Sequence, residues 1–264
     1  MPLLKDIISE LEKQFPPCLQ ESYDNAGIQV FSGDENISQC LVTLDVTEDV
    51  VDEAVRTGCN LIIAHHPLIF GRGLMHVTAD TMTERIILKA VKNSVSIYCA
   101  HTNADAMPYG TSKVMFDKIG IKDYKILLPD NKSTDFQSGA GAIGELKEEM
   151  PAMDFLKMLK KVFACGAIRH TEIVKEKVKK IAVCSGSGSF LLKEAVKQGA
   201  DVFVSGDFTY HKFFEADKKI IIADLGHFET ETGIKQIFCD ILQKKFINFA
   251  VRISDINTNP IKYL

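Results

Sequence analysis

The sequence predicts an α/β fold in which mixed, mainly parallel sheets are flanked by helices. Short apolar segments rich in β-branched residues, such as Leu61–Ala64 and Ile220–Ala223, alternate with segments whose apolar residues recur at helical spacing. This strand-helix-strand order occurs twice, and Val42 falls on Val183 when the two copies are aligned at one offset. The alternation is typical of parallel strands joined by helical crossovers, and the repetition favours a duplicated unit over one continuous fold.

Capping residues and breakers set the boundaries of the individual elements. An amphipathic helix at the start of the chain ends at Pro16 and Pro17, because proline cannot continue a helix. Thr47, followed by two acidic residues, begins a second helix that Gly58 ends. The same reasoning predicts helices at Thr81–Asn93, Thr111–Ile119 and Pro151–Phe163, and strands at Leu41–Leu44, Val95–Ala100, Ala142–Leu146, Val178–Cys184 and from Val202 onward.

A segment rich in turn-forming residues interrupts this pattern between Leu127 and Gly141. It contains Pro129, Asn131 and Ser133, which indicates an exposed connection. We take this segment as the seam between two lobes. The first lobe is expected to contain about residues 1–126 and 232–264, and the second about residues 127–231.

Composition and charge exclude several classes of function. The 264 residues are 46% hydrophobic and 25% charged, with a formal net charge of −4. This balance argues against an overall basic surface for nucleic acid, although a local patch stays open. No apolar run approaches the roughly 18 residues of a membrane span, and the charged first residues do not form a signal peptide. The seven cysteines include no C-x-x-C pair, so we expect reduced thiols in a cytoplasmic protein.

Histidine and carboxylate residues follow several predicted strands at the point where each strand ends. Because α/β sheets bind ligands at the carboxyl ends of their strands, this is where a metal site is expected. A histidine at a strand end is also common as a hydrogen-bonded structural residue, but five of the seven histidines lie in this position. The residues that follow strands in this way are His65, His66, His101, Asp105, His211, His227 and Glu231.

The spacing of these residues predicts two neighbouring ions. Adjacent residues of a strand point to opposite faces, so His65 and His66 would each serve a different ion. His227 and Glu231 are four residues apart, which places them on one face if the segment is helical. A carboxylate can bridge two ions, whereas a neutral imidazole cannot. Nitrogen and oxygen ligands without thiolate suit Zn, Mn, Fe, Co or Ni.

Seven short motifs span nearly the whole chain: Tyr23–Gly27, Ala64–Pro67, His101–Asp105, Ile143–Leu146, Ser185–Gly188, Ser205–His211 and Gly226–Glu231. Their combination resembles the NGG-one-interacting factor three-like family of dinuclear metal proteins, often named GTP cyclohydrolase type-two homologues. The resemblance implies one family unit over residues 1–264, built from two intertwined α/β repeats and assembled into a toroidal hexamer. It also implies that the large domain inserted between the halves of some members is absent here.

The same resemblance implies an assignment of the metal ligands. One ion would be held by His65 and Asp105 and the other by His66 and His227, with Glu231 bridging both. The residues that it places at the rim of this site are Asp24, Asn25, His101 and His211.

A glycine-rich turn at residues 185–189 follows the strand at Val178–Cys184. Leu191 occupies the position of the third glycine of a dinucleotide-binding fingerprint, and no Gly-Lys-Ser/Thr follows, so both nucleotide motifs fail. The turn could bind an anion at the start of the next helix, but a tight strand-to-helix connection is the preferred interpretation.

These observations favour a metal-dependent hydrolase that acts on a C–N or P–O bond of a small molecule or nucleotide. His101 and His211 are the candidates for proton transfer, since water activated by metal still needs a proton partner. The alternative is a metal-storage, metal-delivery or regulatory binding module without a hydrolytic substrate. A scaffold for protein or nucleic-acid partners is a third hypothesis. The sequence identifies neither the substrate nor the metal.

Overall fold

The computed structural model describes residues 1–71, 73–130, 132 and 135–264, and these form two compact units. Unit 1 contains Met1–Ala104 and Ile234–Pro260, and unit 2 contains Asp105–Gly233 and Ile261–Leu264. The first boundary thus lies at residues 104 and 105, whereas the sequence placed it near residue 126. Residues 105–126 belong to unit 2 because Phe116 and its neighbours pack into the core of that unit. Asn131 and Ser133, which contributed to the predicted seam, lie outside the described residues.

Most predicted helices are confirmed to within a few residues. Thr47 caps the second helix through its side chain, which accepts from the N–H of Val50, and Gly58 ends that helix in the left-handed conformation. Within the described part of the chain, no helix is both long and apolar enough to serve as a membrane span. The helices are α1 Leu4–Gln14, α2 Glu48–Thr57, α3 Met82–Lys92, α4 Thr102–Asp105, α5 Thr111–Ile119, α6 Ala152–Val162, α7 Leu192–Lys197, α8 Tyr210–Phe214, α9 His227–Glu231 and α10 Ile234–Lys245.

The strands confirm the predicted alternation, and both sheets also have edge strands that the sequence did not predict. They are short where both neighbours are parallel strands, and the longest strand is antiparallel to its neighbours. In chain order they are β1 Gly27–Val30, β2 Gln39–Thr43, β3 Leu61–Ala64, β4 Ser96–Cys99, β5 Tyr124–Pro129, β6 Gly139–Pro151, β7 Arg169–His170, β8 Lys177–Val183, β9 Val202–Ser205, β10 Ile221–Asp224 and β11 Ala250–Ile253.

Unit 1 contains a five-stranded sheet in the order β1-β4-β3-β2-β11. Strands β4, β3, β2 and β11 are parallel, and β1 pairs antiparallel with β4 at one edge. Helices α2 and α3 cover one face through Val50, Val51 and Ile86, which pack with Ile62 of the central strand. Because β3 is buried along its whole length, the residues that follow it are presented at the carboxyl edge of the sheet.

Unit 2 contains a six-stranded sheet in the order β5-β6-β8-β9-β10-β7. Strands β8, β9 and β10 are parallel, while β5, β6 and β7 add antiparallel pairs at the two sides. Separate apolar cores cover the two faces, one around Phe155 and Leu159 and the other around Leu191, Phe203 and Phe208. Both units therefore carry a mixed sheet flanked by helices, and the predicted α/β class is confirmed. The sheet of unit 1 is mainly parallel as predicted, whereas three of the five strand pairs of unit 2 are antiparallel.

Candidate metal centre

His65 and His66 lie at the carboxyl end of β3, where the regular strand stops. The N–H groups of both residues donate to the carbonyl oxygen of Leu44, at 3.2 and 3.0 Å, so the backbone no longer alternates as in a strand. The two imidazole rings are consequently close, with centroids 5.0 Å apart. His65 is fully buried and His66 is partly exposed. The opposite-face constraint of an ideal strand is thus removed at this position.

His101 joins these two histidines from the end of the neighbouring strand β4. Its ring centroid lies 5.3 Å from that of His65 and 5.5 Å from that of His66. One ligand atom from each of the three side chains lies within 4.8 Å of the others, which is close enough for the group to hold a metal ion. Unit 1 therefore brings together three of the predicted site residues.

The Nδ1 atom of each of the three histidines faces a hydrogen-bond acceptor. In His65 the partner is the carbonyl oxygen of Ala100 at 2.9 Å, and in His66 it is Oδ1 of Asp45 at 2.7 Å. In His101 it is Oδ1 of Asp24 at 2.8 Å. Since a carbonyl or carboxylate oxygen can only accept, Nδ1 must carry the proton in each ring. In the neutral ring Nε2 then presents its lone pair, as in histidines that bind metal ions.

Asp24 and Asp45 are themselves held in place. Asp24 accepts hydrogen bonds from the backbone N–H of Thr102, at 3.0 Å, and from the hydroxyl of the same residue. Burial raises the pKa of Asp24, but the hydrogen bonds from His101 and Thr102 outweigh it and hold the pKa well below its usual range. Asp45 accepts from the hydroxyl of Thr258 at 2.6 Å. The low pKa keeps Asp24 charged, and the hydrogen bonds hold both carboxylates against the imidazoles that they contact.

Asn25, predicted at the rim of the site, has a structural role in this unit. Its side-chain N–H group donates to the carbonyl oxygen of Ile69 at 2.8 Å, and Gln29 accepts from the N–H of Ile69 at 3.0 Å. These bonds tie β1 and the segment before it to the segment after β3. Asn25 therefore fixes the loop that carries Asp24.

Unit 2 contributes His227 and Glu231, which lie on α9 one turn apart as their spacing predicted. His227 Nε2 is 2.8 Å from Glu231 Oε2, and His227 Nδ1 is 2.7 Å from Asp207 Oδ2. Burial lowers the pKa of His227, but the hydrogen bonds to Asp207 and Glu231 outweigh it and raise the pKa to about 10. Glu231 is almost fully buried. As in His66 and His101, the acceptor at Nδ1 of His227 is a carboxylate.

Asp105, at the end of α4, lies in the same part of unit 2. Its Oδ1 accepts from the hydroxyl of Thr111 at 2.7 Å, and Thr111 in turn accepts from the hydroxyl of Ser185 at 2.6 Å. Burial raises the pKa of the Cys184 thiol, and the negative charges of Asp105 and Glu231 raise it further. Two carboxylates therefore act on one buried thiol, which indicates a locally anionic pocket suited to a cation.

His211, the second candidate for proton transfer, is exposed on α8. Its ring lies 5.2 Å from that of Tyr210 and 6.4 Å from that of Phe214. It is not part of the groups found among the described residues that could hold a metal ion.

Gly186, in the glycine-rich turn after β8, packs directly against His227 and Glu231. A Cβ atom at this position would lie 2.1 Å from Glu231 Oε1 and 3.2 Å from His227 Cε1. The N–H of Gly186 donates to the hydroxyl of Thr230, at 2.9 Å, and its carbonyl accepts from the N–H of Gly206 at 2.8 Å. The turn therefore supports α9 with no room for a side chain.

Sequence reasoning missed three supporting residues: Asp45, Asp207 and Gly186. Asp45 and Asp207 each follow a strand, β2 and β9, by two residues. The position after a strand is the same signal that identified the histidines, and it could also have identified Asp45 and Asp207. The role of Gly186 depends on the close approach of Glu231, which no local pattern indicates.

The chain is similar to known proteins over nearly its whole length. The family model described as Duf34/NIF3 (NGG1p interacting factor 3) matches residues 2–260. A protein of Clostridium perfringens named GTP cyclohydrolase 1 type 2 homolog is 36% identical over 86% of this chain and 86% of its own length. A protein of the same name from Clostridium acetobutylicum is 31% identical over 98% of both chains.

Solved structures show the same fold. The Bacillus cereus protein related to NIF3 superposes with a TM-score of 0.91 at 25% identity, covering 100% of this chain and 99% of that chain. The Staphylococcus aureus hypothetical protein SA1388 superposes with a TM-score of 0.90 at 28% identity, covering 100% of both. These similarities extend over both units of the chain.

We expect Gly186→Ala to weaken metal binding. The new methyl group would displace the Glu231 carboxylate, and disturbing a group that orients a ligand typically costs about 10- to 100-fold in metal affinity. Competition with a chelator measures this affinity. Gly199→Ala is the matched control, because Gly199 also has a positive φ but no atom within 4 Å of its Cβ position. Equal affinities in the two variants would show that the turn does not position Glu231.

Proposed function

The chain belongs to the Duf34/NIF3 (NGG1p interacting factor 3) family, and from this premise we propose that it is a dinuclear metal protein with hydrolase activity. The observation that carries the proposal is the common arrangement of His65, His66, His101 and His227. Each Nδ1 atom is held by an oxygen acceptor. A histidine that binds a metal ion almost always donates its other ring N–H to a carboxylate or carbonyl oxygen in this way.

We assign the ligands as the family resemblance implies. His65 and Asp105 would hold one ion, His66 and His227 the other, and Glu231 would bridge both. The chemistry of the donors supports this assignment, because a buried carboxylate can bind two ions at once and each imidazole binds one. All five donors are nitrogen or oxygen, which favours Zn, Mn, Fe, Co or Ni.

Two such ions supply Lewis acidity to a C–N or P–O bond and to the attacking water. The residues of the chain then have to bind the substrate and move protons. His101 is the leading candidate for proton transfer, since Asp24 fixes its Nδ1 proton and leaves Nε2 beside the rings of His65 and His66. His211 is the second candidate, and its exposure on α8 would let it act at the entrance to a site.

The substrate is proposed only as a class. The curated relatives are named for a cyclohydrolase of GTP, and opening a purine ring is hydrolysis of a C–N bond. We therefore propose a small molecule or nucleotide as substrate and keep phosphoester hydrolysis as an equal alternative. The formal net charge of −4 argues against nucleic acid as a partner.

A metal-storage, metal-delivery or regulatory module is the alternative function. The observation in its favour is the exposure of two proposed ligands, since 21% of the His66 side chain and 34% of the His227 side chain are accessible. An accessible ligand set would let ions exchange with a partner or with solvent. Rapid exchange of bound metal into a chelator, with no hydrolysis of nucleotides, cyclic amides or phosphoesters, would support this alternative.

We also propose that the chain assembles into a toroidal homohexamer in the cytoplasm. The oligomer rests on the family resemblance. The location is supported by the seven cysteines, which are all free thiols, with Cys18 exposed. Free thiols of this kind persist in a reducing compartment.

The first prediction concerns metal content in wild-type protein and Glu231→Gln, measured by plasma mass spectrometry. We expect about two transition-metal ions per wild-type chain and a clear loss in the variant, because an amide cannot bridge two cations. Glu145→Gln is the control, since Glu145 is an exposed carboxylate paired with Lys179. Wild-type protein that stays free of metal after reconstitution would refute the dinuclear centre.

The second prediction separates catalysis from metal binding. In a panel of GTP, cyclic amides and bis(p-nitrophenyl) phosphate, we expect His101→Gln to lower turnover by about 10²- to 10⁴-fold while metal content is retained. His76→Gln, at an exposed histidine, should leave both unchanged. If His101→Gln loses an ion instead, His101 is a ligand. If turnover is unaffected, it has no part in proton transfer.

The third prediction concerns assembly. Sedimentation equilibrium of the wild-type protein should give six times the chain mass of 29.3 kDa. A mass equal to one or two chains over the micromolar range would contradict the hexamer without affecting the metal proposal.

A further inference from the structure

Unit 2 contains a second concave site, formed by segments that supply none of the proposed metal ligands. It is a cavity of about 640 Å³ bounded by β7 and the residues that follow it, by α8, and by the turn before β10. This volume is in the range of cavities that hold small ligands.

One wall of the cavity is aromatic. It is formed by Tyr210, Phe213 and Phe214. The rings of Tyr210 and Phe214 are 5.4 Å apart at an angle of 70°, and these residues are 72% and 66% exposed. Aromatic rings left accessible on one short helix, at the mouth of a cavity, provide a surface on which a planar ring can stack.

The other wall carries two cationic side chains. The guanidinium of Arg169 lies over the ring of Phe213, 5.5 Å from its centroid, and forms an ion pair with Asp224. The Arg169 side chain is still 60% exposed. Because a guanidinium has five N–H donors in a planar fork, Arg169 can bind Asp224 and a second anion together. Lys218 also lines the cavity.

Two acidic side chains, Glu172 and Asp217, line the cavity as well. Asp217 is paired with Lys219 at 2.6 Å, as Arg169 is with Asp224. Glu172 adds a negative charge, opposite in sign to that of Lys218. The charges of the whole lining therefore do not select the ligand.

The selection comes from Arg169, which lies over Phe213 beside the aromatic wall and has more N–H donors than Asp224 can accept from. The polar group favoured next to an aromatic ring at this position is an acceptor, and an anion makes the strongest hydrogen bonds to a guanidinium.

We propose that this cavity binds a small molecule in which a planar aromatic ring carries a carboxylate, phosphate or sulfonate. The ring would pack against Tyr210 and Phe214, and the anionic group would bind Arg169 with support from Lys218. Because the proposal uses no metal ligand, it stands or fails independently of the dinuclear centre.

The cavity is linked to the candidate metal centre through one residue. Asp224, the ion-pair partner of Arg169, accepts from the N–H of Gly226 at 3.0 Å, and Gly226 directly precedes His227. It also accepts from the N–H of Phe208 at 3.0 Å. A ligand that binds Arg169 is thus connected to the start of α9, which suits either the remote part of a substrate or a regulator.

The test uses two fluorescent probes with the full chain. 8-Anilinonaphthalene-1-sulfonate carries the ring and the anion, and N-phenyl-1-naphthylamine is its neutral counterpart. We expect the sulfonate to bind the wild type about tenfold more tightly than the neutral probe, because only the sulfonate can use Arg169 and Lys218. Arg169→Lys and Lys218→Gln should reduce that preference, since a lysine cannot reproduce the guanidinium fork.

The aromatic wall is tested with exposed residues whose replacement leaves the core unchanged. Tyr210→Ala and Phe214→Ala should each weaken binding of the sulfonate probe by about tenfold. Phe190→Ala is the matched control, because Phe190 is 63% exposed and does not line the cavity. The Phe190→Ala variant should bind the sulfonate probe with the same affinity as the wild type.

Three results would overturn the proposal. Equal affinities of Phe214→Ala and Phe190→Ala for the sulfonate probe would show that the probe binds outside this cavity. Full displacement of the probe by millimolar inorganic phosphate alone would show that the cavity binds only the anionic group and that the aromatic ring of the ligand contributes nothing. A change of sedimentation mass in Tyr210→Ala, with probe binding per chain unchanged, would show that this face contacts a second copy of the chain.

Discussion

The orientation of four imidazoles is the constraint on which the rest of the candidate site depends. A histidine ring can turn about two bonds and can carry its proton on either nitrogen, so its position on a strand end does not by itself make it a ligand. Here a fixed oxygen acceptor holds Nδ1 of His65, His66, His101 and His227. Each acceptor fixes the ring orientation and holds a proton on Nδ1. The site is therefore defined as much by Asp24, Asp45 and Asp207 as by the rings themselves.

These acceptors explain why distant parts of each unit are needed. Asp45 is 21 residues from His66 and is held by Thr258 near the end of unit 1. Asp24 is 77 residues from His101 and accepts from Thr102 on α4. A carboxylate that is already hydrogen-bonded loses little further entropy when it fixes an imidazole. Segments that contain none of the candidate ligands thus orient the acceptors that hold the imidazoles.

The sequence predicted the parts of the site that depend on local patterns. His65, His66 and His101 could be found because each follows a buried strand, and the four-residue spacing of His227 and Glu231 correctly indicated one helical face. The structure adds what depends on tertiary contacts, such as Asp45 and the lack of space around Gly186. The division of the chain follows the same rule. Local turn signals suggested a seam beyond residue 126, whereas packing of Phe116 with Phe155 assigns the residues after 104 to unit 2.

The glycine-rich turn after β8 shows how the contacts of one backbone segment decide between two functions. A phosphate-binding turn needs several N–H groups directed at the ligand. In this turn the N–H of Gly186 donates to Thr230 Oγ1, and the N–H of Gly188 donates to Ser205 Oγ at 3.1 Å. The nearest charged group to Gly186 is the carboxylate of Glu231, which would repel an anion. Because the N–H groups of both glycines are engaged and a carboxylate lies against Gly186, the turn is better suited to supporting α9, which carries His227 and Glu231, than to binding an anion.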